Sequence, residues 1–154
     1  MVVICVLLIV LVAGADLICK WYVDTRFRKG ESVSCCKEKV TIRKVHNKGM
    51  MLNIMEKRPN FVRTGSFVAM VVVLIYQMFL LGKPGRLKEK VGMALISGGA
   101  ISNTFDRIKK GYVVDYIGWN SKWKKLVNVT YNLGDFAIFA GTFLVFVGNI
   151  CKRK

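Results

Sequence analysis

Acidic residues are scarce in this 154-residue chain: Asp and Glu total 9 against 25 Lys and Arg, for a formal net charge of +16. Histidine is almost absent, with His46 alone. A structural zinc site wants four Cys or His ligands at set spacings, and none stand at such spacings here, which argues against a zinc module. A Ser-His-Asp triad would need His46, and no serine motif accompanies it. The five cysteines (Cys5, Cys19, Cys35, Cys36 and Cys151) are odd in number and lack a framework spacing, so they read as thiols rather than as a disulfide scaffold. There is no phosphate-binding loop, no dinucleotide fingerprint, no internal repeat and no low-complexity tract. A charge of this size invites a nucleic-acid reading. That reading fails because the charges are segregated from long uncharged runs, and basic residues beside apolar spans meet anionic lipid headgroups.

Those runs are what the sequence has in quantity. Val2 to Ala15 is continuous apolar and small sequence, and Thr64 to Gly82 carries no charge. Val91 to Phe105 is a shorter uncharged run, and Leu126 to Cys151 is broken only by Asp135. A helix needs about 20 apolar residues to cross a bilayer. Four transmembrane helices are therefore expected, near 2–22, 62–82, 88–107 and 133–151, within one membrane domain spanning 1–154. Ala13-Gly14-Ala15 resembles a cleavage site, but no basic segment precedes the first run, which is expected to be a retained helix. Lys83 to Lys90 has four basic residues in eight, and the chain ends Lys152-Arg153-Lys154. Dense charge beside short loops places both termini in the cytoplasm, although the connections 24–63 and 106–125 carry more basic residues in total. Lys39 to Arg43 alternates polar and apolar, predicting a strand in a small extracytoplasmic β region over about 24–60. Trp119, Trp123, Leu126 and Val127 recur at helical spacing with lysines between them, predicting an interfacial amphipathic segment over about 116–130. The fold class expected is an all-α integral membrane protein carrying these two additions.

An ionisable group in a span costs roughly 2.5–3.5 kcal/mol on insertion scales, so each needs a reason. Asp16 and Lys20 stand four apart and can pair along one face, either neutralising each other or orienting other polar groups. Gly99, Asn103 and Asp106 or Arg107 put a small, polar face on the third span; packing explains the glycine, but not an amide and a guanidinium. Ser102 with Lys20 is a conceivable Ser-Lys pair, with nothing local marking Ser102 as a nucleophile. Asp115 follows the third span and Asp135 opens the fourth. A helical hairpin would bring both to one membrane face. Two close carboxylates resist joint ionisation and share a proton, the arrangement with which aspartic peptidases activate water. The alternative is that Asp135 answers the helix dipole and Asp115 is a solvated loop residue.

Five motifs resemble those of the lipoprotein signal peptidases, the aspartic bacterial signal peptidase II family. Asp16 and Lys20 resemble Asp-x-x-x-Lys of a first helix, and Asn47-Lys48-Gly49 resembles Asn-x-Gly. Gly98 to Arg107 resembles Gly-Gly-Ala-x-Gly-Asn-x-x-Asp-Arg, with Ser102 at a usual Gly. Val113-Val114-Asp115-Tyr116 resembles Val-Val-Asp-Phe. Tyr131 to Asp135 resembles Phe-Asn-x-Ala-Asp, with Gly134 at a usual Ala, and Met50-Met51-Leu52 replaces Ala-Ala-Phe. The resemblance implies a four-span fold and a peptidase acting without cofactor or metal. Its substrates would be diacylglyceryl prolipoproteins, cut before the lipidated cysteine. Asp115 and Asp135 would be catalytic. Asn47, Gly49, Asn103, Arg107 and Asn132 would position substrate, with Asp16, Lys20, Gly99 and Asp106 supporting them. The implied partners are lipid-modified prolipoproteins and an anionic phospholipid membrane, with no nucleic acid and a monomeric chain. The competing readings are a non-catalytic polytopic protein (a transporter subunit or scaffold), a presenilin-like peptidase, and an inactive relative.

Overall fold

The computed structural model describes residues 1–28, 30–35, 39–49, 55–119 and 129–150. The apolar run that opens at Val2 carries on past Asp16 and Lys20 as helix α1, Val2–Arg26. Strands β1 (Ser32–Cys35) and β2 (Val40–Asn47) follow. Pro59, whose fixed φ suits a first helical turn, opens α2, Pro59–Leu81. Gly85 at φ +63° then turns the chain into α3, Leu87–Lys109. Strands β3 (Val113–Trp119) and β4 (Thr130–Tyr131) lead to α4, Leu133–Ile150.

The architecture is mostly helical, but it is not all-α. Among the described residues, four helices carry a four-stranded antiparallel sheet of order β1-β2-β3-β4. Strands β1 and β2 fall where the sequence places a β region, and the expected strand at Lys39–Arg43 is part of β2. The described ends of the interfacial amphipathic segment expected over 116–130 fall in the other half of the sheet. Trp119 ends β3 and Thr130 lies in β4, so both flanks of that segment are strand; Trp123, Leu126 and Val127 lie outside the described residues.

Three helices, α1, α2 and α4, are long and apolar enough to cross a membrane. The third expected span, α3, does not meet that standard, and packing explains how it is accommodated. It touches all three of the others, so protein rather than lipid meets its polar groups. Close approach relies on bare backbone. A Cβ on Gly99 would collide with the Gly134 carbonyl, and one on Gly92 would lie 2.6 Å from the Gly141 carbonyl. Gly98 fits against Val12 of α1. Below α1, buried Val23, Val114 and Tyr116 join helix to sheet. The Asp24 carboxylate accepts from His46 Nε2 (2.9 Å) and Lys44 (3.1 Å), and pairs with Lys110 at 3.3 Å. The same lysine reaches Asp106 at 3.1 Å. This ties the ends of α1 and α3 to β2.

Candidate active site

The site begins with a helix cap. Asn132 precedes α4, and its carbonyl accepts the Phe136 N–H. Its side-chain Oδ1 accepts the Asp135 N–H at 2.9 Å, while its own N–H donates to Asp135 Oδ2 at 3.1 Å. This is a capping box with Asn and Asp in place of Ser and Glu. The box leaves one amide donor unused, and Asn132 Nδ2 gives it to Asp115 Oδ1 at 2.7 Å. One buried residue thus holds both carboxylates, Asp135 through its backbone N–H and Asp115 through its side-chain amide.

Asp115 sits on β3 opposite Val45 of β2. Strand alternation turns Val113 and Asp115 to one face and sends Val114 and Tyr116 into the core behind. The second Asp115 oxygen accepts from Asn47 Nδ2 at 2.9 Å, and Asn47 Oδ1 in turn accepts the Gly49 N–H at 3.0 Å. Asp135 Oδ1 accepts from Asn103 Nδ2 at 2.9 Å. Burial and the neighbouring Asp135 charge push the Asp115 carboxyl up to about 7, against the opposing pull of its two amide donors. Asp115 is only 3% exposed, so it is a strand residue of the interior and not a solvated loop residue.

Asn47, Asn103, Arg107, Asp115 and Asp135 line one cavity of about 190 Å³. Gly49 and Asn132 stand behind its wall. Arg107 donates to the Gly49 carbonyl at 3.1 Å and the Asn103 carbonyl at 3.4 Å, joining α3 to the turn after β2. The remaining expected residues do not reach the cavity. Asp106 is buried and accepts the Val114 N–H at 3.1 Å, clamping β3 to α3. Gly99 permits the contact with Gly134.

Lys20 donates to Asp16 Oδ2 (2.7 Å), Ser102 Oγ (2.9 Å) and Asn103 Oδ1 (2.7 Å). The pair is therefore not self-contained: it holds the amide that holds Asp135. The same contacts rule against a Ser-Lys nucleophile. Ser102 is wholly buried and donates its proton to Asp16 at 2.6 Å, while Lys20 is a saturated ammonium. Sequence reasoning missed the apolar wall of the cavity: Val113, Val129, Tyr131, Ile138 and Phe139. Strand alternation from Asp115 would have found Val113. Helical spacing from Asp135 would have found Ile138 and Phe139.

A buried Asp115 and a half-buried Asp135 line one cavity in a multi-pass membrane protein, and a pair of close carboxylates is the kind of site with which aspartic hydrolases activate water. The sequence model of the signal peptidase (SPase) II family matches residues 8–151, and the chain belongs to that family. It is 29% identical to the lipoprotein signal peptidase of Moorella thermoacetica over 140 residues, covering 90% of this chain and 87% of that one. It is also 29% identical to that of Clostridium tetani, covering 92% and 89%. A bacterial membrane enzyme solved by the in meso method at 2.3 Å shares the fold, with a TM-score of 0.86 at 22% identity over 100% of this chain and 92% of the other.

Proposed function

We propose that Asp115 and Asp135 are the catalytic pair of this aspartic-type lipoprotein signal peptidase, sharing one proton across the cavity. The observation that carries the reading is Asn132, which bonds both carboxylates at once. Near neutrality the pair holds a single proton. The ionised partner takes a proton from water, which attacks the scissile carbonyl. The protonated partner donates to the carbonyl oxygen. The tetrahedral adduct then collapses: its C–N bond breaks as the carboxyl that took water's proton passes it to the amine nitrogen, leaving the freed signal peptide with a new C-terminal carboxyl and a chain beginning at its lipidated cysteine. Asn103, Asn47 and Asn132 hold the two acids, and Arg107 places positive charge at the cavity wall. Gly49 supports Arg107 through its carbonyl. Asp16, Lys20, Gly99 and Asp106 support the arrangement from behind.

The substrate is a diacylglyceryl prolipoprotein. Its acyl chains and signal helix both partition into lipid, so the bond to be cut lies near the membrane surface. The apolar residues on the cavity wall suit that chemistry. All four helices span the membrane as one domain over 1–154, with α3 enclosed by the others. Both termini are cytoplasmic, and the sheet and dyad lie toward the extracytoplasmic face. The enzyme works as a monomer among anionic phospholipids, without cofactor or metal.

The test uses the purified full chain in lipid. A diacylglyceryl prolipoprotein and the same polypeptide without lipid are supplied in parallel. Expected is cleavage of the first only, unchanged by a chelator and lost in both Asp115→Asn and Asp135→Asn. Cleavage surviving in both variants, or abolished by the chelator, overturns the mechanism. Equal cleavage of the unlipidated chain overturns the substrate.

A further inference from the structure

Asp16 lies outside the cavity, yet its carboxylate is fully buried and held from three directions. Oδ2 accepts from Lys20 at 2.7 Å and from Ser102 Oγ at 2.6 Å. Oδ1 accepts from the Tyr116 hydroxyl at 3.0 Å. Two routes run from this carboxylate to Asp135. One passes through Lys20 and Asn103 to the Asp135 side chain. The other passes through Tyr116, whose hydroxyl oxygen accepts the Leu133 N–H at 3.1 Å, two residues before Asp135 on the same helical turn. Between them lies Gly134. A Cβ there would sit 2.7 Å from Asp16 Oδ2 and 3.1 Å from Asn132 Oδ1.

We infer that Ser102, Tyr116 and Gly134 act as one positioning unit, in which two hydroxyls pin the Asp16 carboxylate against bare backbone at the start of α4 and so fix Asp135. None of the three lines the cavity, so none is a catalytic residue. The inference rests on the reading of Asp135 as half of the catalytic pair. It also gives a common cause to separate oddities of the sequence. Ser102 and Gly134 stand where the motifs they resemble have Gly and Ala, and Tyr116 stands at a Phe. All three meet the same carboxylate. Hydroxyls added at 102 and 116 fix its oxygens, and the methyl absent at 134 leaves room for one of them.

The test is a mutant cycle on the full-length enzyme in lipid, with kcat and KM measured on the lipidated substrate. Removing one donor with Ser102→Gly or Tyr116→Phe is expected to lower kcat about 10-fold, as for a buried charge losing one hydrogen bond, with KM held within about twofold. Gly134→Ala alone is expected to cost about 100-fold in kcat, because its methyl meets a pinned oxygen. Adding Ser102→Gly leaves that oxygen held by Lys20 alone, whose long side chain can follow it as it shifts from the methyl. The double variant should therefore be at least as active as Gly134→Ala, about 10-fold or more above the product of the single effects. Should Gly134→Ala fail to fold, Ser102→Gly with Tyr116→Phe is read the same way, since loosening one oxygen lessens what the other bond can hold. Multiplicative effects in the cycle overturn the unit. So do losses confined to KM, or losses that follow only the fraction unfolded in a parallel melt. Asp115→Asn is measured beside them: if it cleaves, the catalytic reading fails, whereas an inactive Asp115→Asn with a multiplicative cycle condemns the unit alone.

Discussion

Helices α2 and α3 each contain 23 residues and are built oppositely. In α2 the apolar residues face outward: Val68, Val72, Ile75 and Phe79 are all about half exposed or more. In α3 the buried residues are mostly polar or glycine, among them Glu89, Lys90, Ser97, Ser102, Asn103 and Asp106, with Met93 and Ala94 as the apolar members. A water-soluble bundle would reverse this. Lipid removes the hydrophobic drive between helices, since a neighbouring Leu is no better a partner than an acyl chain. An apolar helix can therefore remain at the rim, while a polar one is stable only when other helices surround it. Asn103, which bonds Asp135, and Arg107 at the cavity wall both stand on the helix least suited to lipid. That helix is held centrally by three more apolar ones.

The contrast is broken most severely at the acids that α3 helps to hold. Asp115→Asn and Asp135→Asn should each reduce cleavage of the lipidated substrate by about 10³-fold, within the usual range for losing general acid-base catalysis. Val72→Ala on the outer face of α2 should leave the same rate unchanged. An active Asp variant, or a strong effect at Val72, would mean that the division between the two helices does not follow function.

Next in size is the charge beneath the pair. Lys20→Met leaves Asp16 buried without its cation, which should destabilise the fold by about 3–5 kcal/mol. Unfolding in detergent reads this directly. A stability within about 1 kcal/mol of the parent would mean that the Ser102 and Tyr116 hydroxyls alone suffice to hold the buried Asp16. Gly99→Ala should cost about 1–3 kcal/mol, because the new methyl meets the Gly134 carbonyl across the α3–α4 contact and neither backbone can yield freely.

Much of this was legible in the sequence. A charge or an amide inside an apolar span demands a reason, and that demand alone singles out Asp16, Lys20, Asn103, Arg107 and Asp135. The spacing of four between Asp16 and Lys20 is realised as a 2.7 Å ion pair. The lost portion is of two kinds. Strand β3 was hidden because its Val-Val-Asp-Tyr run is short and does not alternate, and a period cannot reveal which partner strand will claim it. Tyr116 and Gly134 were hidden because their meaning is tertiary: Tyr116 meets Asp16 across 100 residues of chain, with no local pattern to join them. Asp106 was legible as a needed acid but not as the clamp on β3 that it forms.

A smaller effect appears as a shift on the pH axis. Asp115 is held near 7 against an ordinary carboxylate value of 3.8, so it carries its proton below that pH and loses it above. Cleavage by a pair that needs one proton should therefore fall as pH rises through about 7. Asn47 donates to the ionised form of Asp115, so Asn47→Ala should raise the proton affinity further. The alkaline limb should move up by about one pH unit, the equivalent of roughly 1.5 kcal/mol for a hydrogen bond to a charge. A limb that stays in place, or moves down, would assign the alkaline limb to another group.

The smallest expected effect separates the two helices most cleanly, because it applies one substitution to both. Gly65 lies within α2, and a Cβ there meets nothing within 4 Å. Alanine stiffens the unfolded chain without a steric cost in the helix, so Gly65→Ala should stabilise the protein by about 0.5–1 kcal/mol and leave kcat and KM unaltered. The identical exchange at Gly99 is destabilising, as argued above. Opposite signs in paired melts would show that position in the bundle, rather than any helical preference of glycine, decides its effect. If both exchanges stabilise, the close approach of α3 to α4 at Gly99 is not a constraint on the fold, and the enclosure of the polar helix must depend on its hydrogen bonds alone.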